Sequence, residues 1–115
     1  MAISIESEVD QYHVLHGDIL LGLEKSDAAI SAFTKALLIN DQLPWALEQR
    51  SNAYKAIGKY KEAVLDMTAL VDKASIKDRF LEMRAELYLE CGDLDNSLAD
   101  INASLTGEHN YLELS

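Results

Sequence analysis

The side chains best suited to chemistry in this sequence are its histidines and one cysteine. His13 and His16 lie one helical turn apart, close enough to share a metal ion with Asp10 or with the distant His109. A zinc site needs three or four converging ligands, and Cys91, the single cysteine, has no second cysteine to help it. The histidines are therefore expected at the surface or between helices, and no metal or other cofactor is predicted.

The sequence also argues against an enzyme. At a spacing of thirty-four residues, Cys91 aligns with Leu23 and Ile57, so we expect a buried small apolar side chain in place of a nucleophile. Glycine-rich phosphate loops, serine nucleophile elbows and paired acidic motifs on strands are absent from the sequence. The sequence thus predicts a protein without catalytic activity.

The charge balance limits the class of partner. The chain has 115 residues, with 20 Asp and Glu against 10 Lys and Arg, and a formal net charge of −10. Nucleic-acid affinity comes mainly from Lys and Arg that release counterions from phosphates, so no nucleic-acid partner is expected, and basic partners are favoured. No long apolar run and no signal-peptide pattern occur, so membrane insertion is not predicted, and the cytoplasm is the expected location, with the nucleus as the alternative.

The elements that position these side chains repeat at a constant offset of thirty-four residues. Small residues align with small ones and large residues with large ones. The small sets are Gly17, Ser51 and Ala85, and Ala29, Ala63 and Ser97; the large sets are Leu20, Tyr54 and Tyr88, and Phe33, Met67 and Ile101. Because two helix axes approach to about 8 Å only where the crossing side chains are small, these sets predict closely packed helix pairs.

Apolar spacing of three and four residues predicts six helices. The first helix is expected to begin near Ser7 and to close at Gly22. Ser26 is a candidate cap for the second helix, which ends at Asn40, and Pro44 fits the first turn of the third.

The later turns carry their own signals. Gly58 and Gly92 follow apolar helices one period apart, where a left-handed C-terminal cap favours glycine. Ser75 is a candidate cap for helix five, and Asp93 or Asp95 for helix six.

One aligned set is polar: His16, Arg50 and Arg84. Sixteen residues after each arginine comes an aspartate, Asp66 or Asp100. Partial burial of an arginine without a counter-charge is costly. We therefore predict an ion pair between the two helices of a repeat, and a stability loss for Asp66→Ala.

Over about nine-tenths of its length the sequence resembles the tetratricopeptide repeat family. The units span 10–43, 44–77 and 78–111 of a single domain over 1–115, and the second unit follows the family pattern best. The resemblance implies an all-α, right-handed superhelical solenoid of three antiparallel helix pairs. It also implies a concave groove, lined by the first helix of each pair, that holds a peptide or a partner's helix.

The resemblance places ten candidate partner-binding residues in that groove: Val14, Asp18, Trp45, Glu48, Asn52, Arg79, Glu82, Glu86, Leu89 and Glu90. Trp45 is the expected anchor, because tryptophan is enriched among binding hot spots. Two alternatives stay open: the glutamates of this set form an ordinary solvated face, or Trp45 packs on the preceding helix.

Many family members grip the acidic tails of chaperones through Lys, Asn and Arg. Here Val14, Asp18, Gln49 and Met83 stand at four of those positions, and only Arg79 fits. The sequence therefore favours an adaptor or scaffold that binds a basic or amphipathic segment. The alternatives are a co-chaperone and a structural unit that self-associates through the apolar side chains of its C-terminal repeat, Leu98, Ile101 and Leu105.

Overall fold

A computed structural model describes the backbone of residues 2–75 and 77–113 and the side chains of residues 9–75 and 77–105. Within these residues the chain forms six α-helices and no strand. They are α1 (Ala2–Gly22), α2 (Ser26–Ile39), α3 (Pro44–Ala56), α4 (Tyr60–Lys73), α5 (Asp78–Cys91) and α6 (Leu94–Glu113). The predicted all-α class and the count of six helices are confirmed.

The helices divide between two compact units. The first unit, Met1–Lys59, holds α1 to α3, and the second, Tyr60–Ser115, holds α4 to α6. In the first unit α1 packs on α2 and α2 on α3; in the second, α4 packs on α5 and α5 on α6. The division falls inside the second expected repeat, so the repeat bounds and the single domain stay predictions.

A close approach of α1 to α2 holds the first unit together. Phe33 on α2 is fully buried with Ala29, Ala46 and Ala53 in one apolar cluster. A Cβ atom added to Gly17 on α1 would lie 2.6 Å from the Phe33 ring. The aligned small residue on α1 is therefore required by the packing, as the sequence predicts.

The second unit uses small residues in the same way. Ala63, on α4, is fully buried, and Ala85, on α5, is almost so. The hydroxyl of Ser97 on α6 donates a hydrogen bond of 2.8 Å to the Ala85 carbonyl oxygen. The small residues at the α5–α6 crossing therefore meet directly.

The turn after the first helix of each expected repeat has the same backbone geometry. Gly58 and Gly92 have φ angles of 78° and 83°, as predicted, and Glu24, one period earlier, has a φ of 62°. At each turn one amide bonds the carbonyl three residues back, and the next amide bonds the one five residues back, which is the Schellman pattern. Glu24 thus adopts a conformation that normally favours glycine.

Several capping predictions are corrected. Helix α1 begins at Ala2, before Ser7. Ser26 is the first residue of α2 and is buried, and the side chain of the N-cap, Lys25, makes no capping hydrogen bond. Helix α5 has Lys77 as its N-cap in place of Ser75. An N-cap residue stands just before the helix with non-helical backbone angles, and Ser26, as the first helical residue, lies one position too late for that role.

Other helix ends match the sequence. Pro44 occupies the first turn of α3, and Asn40 is the C-cap of α2. The Asp93 carboxylate accepts a hydrogen bond of 3.3 Å from the backbone N–H of Asn96, so Asp93 caps α6. Of the two aspartates considered for this cap, the first is the one used.

The contact between Gly17 and Phe33 gives a stability prediction. We expect Gly17→Ala to lower the free energy of unfolding by about 1–3 kcal/mol, because the methyl group would clash with a fully buried ring. Urea denaturation followed by circular dichroism measures the change. Gly22→Ala on the same helix is the matched control: nothing lies within 4 Å of its added Cβ, and it should be neutral or stabilising by up to about 1 kcal/mol. Equal effects of the two variants would contradict the assignment.

The positive φ of Glu24 gives a second prediction. Glu24→Gly should stabilise the protein by about 0.5–1 kcal/mol, since glycine relieves a left-handed conformation at some entropic cost. Gly58→Ala places a side chain in the same conformation and should destabilise by a similar amount. Thermal unfolding of the two variants beside the parent measures both changes, and a lower melting temperature for Glu24→Gly would contradict the account.

Candidate functional site

Helices α1 and α3 bring predicted groove residues together in the first unit. The Trp45 indole N–H donates to both carboxylate oxygens of Asp18, at 3.0 and 3.1 Å. Trp45 is half-exposed, so one edge of the ring is fixed to α1 while a large part of its surface is open to solvent. Packing of Trp45 on the preceding helix, α2, stays an alternative.

A shallow cleft of about 230 Å³ lies beside this bond. It is lined by Gln11, Val14, Leu15, Asp18, Leu43, Pro44, Trp45 and Ala46. Most of these side chains are apolar, and the Asp18 carboxylate is the one ionised group among them. The cleft therefore combines an apolar floor and an aromatic wall with a single negative charge, a pattern typical of small binding pockets.

The other two candidates of the first unit are less open. Glu48 is buried and has an interaction partner. The half-buried Asn52 donates a bond of 3.0 Å from its side-chain nitrogen to the Gln49 side-chain oxygen on the same helix. These two side chains support α3 more than they offer free contact surface.

The remaining candidates lie on α5 in the second unit: Arg79, Glu82, Glu86, Leu89 and Glu90. All five are exposed. The Arg79 guanidinium lies 5.2 Å from the centre of the Phe80 ring. The three glutamates recur every four residues and follow one face of the helix.

Arg84 links three helices of the second unit. Its Nε and one terminal nitrogen each donate a bond of 2.7 Å to the Asp100 carboxylate on α6. The other terminal nitrogen donates a bond of 3.1 Å to the Thr68 hydroxyl on α4. The Tyr88 ring stacks at 5.7 Å from the guanidinium. The predicted pair between Arg84 and Asp100 is therefore present, and it is bidentate.

The hydrogen bond to Asp100 raises the pKa of Arg84 above its ordinary value, against the opposing effect of burial. A raised folded-state pKa means that the stabilisation is fully present below the unfolded-state pKa of arginine and is lost only as the pH rises through the higher folded value. The pair therefore acts at full strength throughout the neutral range.

The same contacts recur one period earlier. Arg50 on α3 donates a bond of 3.1 Å to the Thr34 hydroxyl on α2 and lies 5.8 Å from the centre of the Tyr54 ring. Its expected pairing with Asp66 joins residues of different units and stays a prediction. The threonines were not foreseen, although each lies sixteen residues before its arginine, the mirror image of the aspartate spacing.

The exposure of the cysteine and the histidines can be compared with the predictions for these reactive side chains. Cys91 is exposed, so the prediction of a buried side chain is wrong: it is the last residue of α5, where the next residue turns away. His16 is exposed and His13 half-buried, as surface or inter-helix histidines would be, while the His109 side chain lies outside the described residues. Within residues 9–75 and 77–105, no three His, Cys, Asp or Glu side chains are grouped as metal ligands.

Among the described residues, no helix has both the length and the apolar character that a membrane crossing requires.

The fold and the repeated contacts define a helical-repeat protein, a class that presents extended surfaces to other proteins. Residues 10–43 match the family model of the tetratricopeptide repeat. Curated proteins give no match. The chain is similar to the solved structure of the second TPR of Spaghetti (RPAP3) bound to HSP90 peptide SRMEEVD, with a TM-score of 0.79 and 19% identity over 91% of this chain and 97% of that chain. Residues 10–43 therefore match one tetratricopeptide repeat, and the structural similarity confirms the predicted solenoid class.

The contacts of Arg84 give a third prediction. Asp100→Ala should destabilise the protein by about 3 kcal/mol, because it leaves a largely buried guanidinium without its counter-charge. The double variant Arg84→Met with Asp100→Leu removes both charges and should cost less than Asp100→Ala alone. A double-mutant cycle by urea denaturation at neutral pH measures the coupling. A coupling near zero would mean that the pair is only a surface contact.

Proposed function

We propose that this protein is a protein-interaction adaptor of the cytoplasm, and that the cleft between α1 and α3 receives an apolar side chain from a basic or amphipathic segment of its partner. The observation that carries the proposal is the bond from Trp45 to Asp18, which fixes an exposed aromatic ring at the edge of an apolar cleft. A ring held in place before binding loses little side-chain entropy when a partner packs on it.

The charge of the site supports a basic partner. Asp18 lies at the cleft, and its carboxylate has lone pairs beyond those that accept the indole N–H. Glu82, Glu86 and Glu90 expose a further line of negative charge on α5. With a net charge of −10, the protein attracts basic segments, most strongly at low salt.

An acidic tail suits these residues less well. The similar structure holds the peptide SRMEEVD, which ends in two glutamates, a valine and an aspartate. In this chain the positions corresponding to the family clamp carry Val14, Asp18, Gln49 and Met83, and only Arg79 retains a positive charge. Asp18 at the cleft would repel a carboxylate, which disfavours a co-chaperone role of that type.

The test uses the single tryptophan as its own reporter. Trp45 is the only tryptophan of the chain, so a change in its emission on adding peptide reports contact at the cleft. Two peptide pools are titrated: basic amphipathic helices, and acidic chaperone-type C-termini. We expect the basic pool to shift the emission, with an affinity that falls as salt rises.

Variants separate the cleft from the rest of the surface. Trp45→Phe retains an aromatic ring without the indole N–H, and Trp45→Ala removes the anchor and should weaken binding about tenfold or more, followed by fluorescence polarisation of labelled peptide. Asp18→Asn keeps an acceptor for the indole but removes the charge, so it should reduce the salt dependence. Glu82→Lys combined with Glu86→Lys tests the glutamate face. Unchanged binding in every variant refutes the site, and tight binding of the acidic pool restores the co-chaperone function.

A further inference from the structure

Helix α1 exposes an apolar face. Tyr12 and Ile19 are 62% and 54% exposed, and the neighbouring Leu15 is exposed as well. The residues one period later, Ala46 and Ala53 on α3, have no exposed surface. They lie in the apolar cluster with Phe33 of α2, so the second helix of one repeat covers this face of the next first helix.

Helix α6 also exposes an apolar face, and it corresponds to the surface that a second helix of a repeat packs against the next first helix. Leu98 and Leu105 are 61% and 54% exposed, and Ile101 lies between them. One period earlier on α4, Met67 and Val71 are buried, at 1% and 8% exposed. Helix α4 packs on α5, so the face that α6 leaves open is the one that α4 places against the following helix.

We propose that these two faces bind each other between molecules, with α6 of one copy packing on α1 of the next. The contact would repeat the packing of α2 on α3 and of α4 on α5, each of which lies within one unit of the chain. The peptide cleft shares one residue, Leu15, with this face, and its remaining lining residues lie outside the face.

The side chains of the two faces are larger in sum than those of the contact inside the first unit. Within the first unit the large Phe33 meets the small residues Ala46 and Ala53. At the equivalent positions between copies, the smaller Ile101 of α6 would meet the larger Tyr12 and Ile19 of α1. The layer between copies would therefore hold more side chain than the layer within the first unit, so α6 and α1 would lie farther apart than α2 and α3.

The repeat also fixes the register. Arg50 bonds Thr34 and Arg84 bonds Thr68, and in both cases the arginine lies sixteen residues after the threonine. His16 lies one period before Arg50, and Asn102 lies one period after Thr68. If the contact between copies has the same geometry, His16 of one copy lies opposite Asn102 of the other. A histidine N–H and an amide oxygen are compatible hydrogen-bond partners.

The lengths of the two helices agree with this register. Helix α1 has 21 residues and α6 has 20, whereas the other four have 13 or 14. In an antiparallel contact with His16 opposite Asn102, the extra turns at the start of α1 would run beside the extra turns at the end of α6. The two long helices thus match each other in length, and neither matches any of the four helices between them.

Charge predicts how the association depends on salt. The exposed residues that form the two faces, Tyr12, Leu15 and Ile19 on α1 and Leu98, Ile101 and Leu105 on α6, carry no charge. Copies with a net charge of −10 repel one another at low salt, and added salt screens that repulsion. Association should therefore strengthen as salt rises, whereas binding of a basic peptide should weaken, so the two proposals fail independently.

The contact joins different surfaces of the two copies, so it leaves one face open at each end of a dimer. Such heterologous contacts continue into longer assemblies unless they close into a ring. The parent protein at high salt should show a mass that keeps rising with concentration past that of a dimer. Sedimentation equilibrium measures it.

Two single variants test the pairing of the faces. Ile19→Lys blocks α1 and Leu98→Lys blocks α6; both side chains are more than half exposed, so the fold should survive, which circular dichroism checks. Each variant alone should be monomeric. Mixed in equal amounts they should form a dimer and nothing larger, because only one intact α6 and one intact α1 remain. Leu38→Lys, at an even more exposed position of α2, is the matched control and should associate like the parent.

Each other outcome overturns the proposal. A parent protein that stays monomeric at high salt and high concentration shows that the faces do not bind each other. A dimer of Ile19→Lys alone shows that α6 pairs with α6, and a dimer of Leu98→Lys alone shows that α1 pairs with α1. Loss of association in Leu38→Lys shows that the effect comes from added charge in general.

Discussion

The second unit depends on one guanidinium. Arg84 bonds Asp100 on α6 and Thr68 on α4, and it is itself carried by α5, so a single side chain fixes the relative position of three helices. Apolar packing alone allows helices to slide, because dispersion contacts have little directional preference. A bidentate pair together with a hydroxyl acceptor has a defined geometry. The threonine contact recurs at Arg50, where it joins α3 to α2 in the first unit.

The sequence predicted the parts of this arrangement that depend on local geometry. Gly17 against Phe33, the left-handed Gly58 and Gly92, and the bond between Arg84 and Asp100 all follow from spacing within one repeat. The contacts between the arginines and the threonines were missed because each threonine lies in the repeat before its arginine. The left-handed Glu24 was missed because its residue type conceals a position that glycine occupies in the other two turns.

The errors share a cause, which is that alignment assigns the same surroundings to every copy of a position. Cys91 aligns with apolar residues but lies at the exposed end of α5. The bond from Trp45 to Asp18 depends on two residues that vary between repeats, so no periodic argument could have predicted it.

Most of the helix packing joins neighbours in the chain: α1 with α2, α2 with α3, α4 with α5 and α5 with α6. Little chain entropy is lost in closing such short loops, and folding rates rise as contacts become more local. In repeat proteins of this kind folding can start at any point and spread to the neighbouring helices. A nascent chain could therefore begin to acquire native structure once its first helix pair has left the ribosome, before the aspartate that completes the last arginine contact has been synthesised.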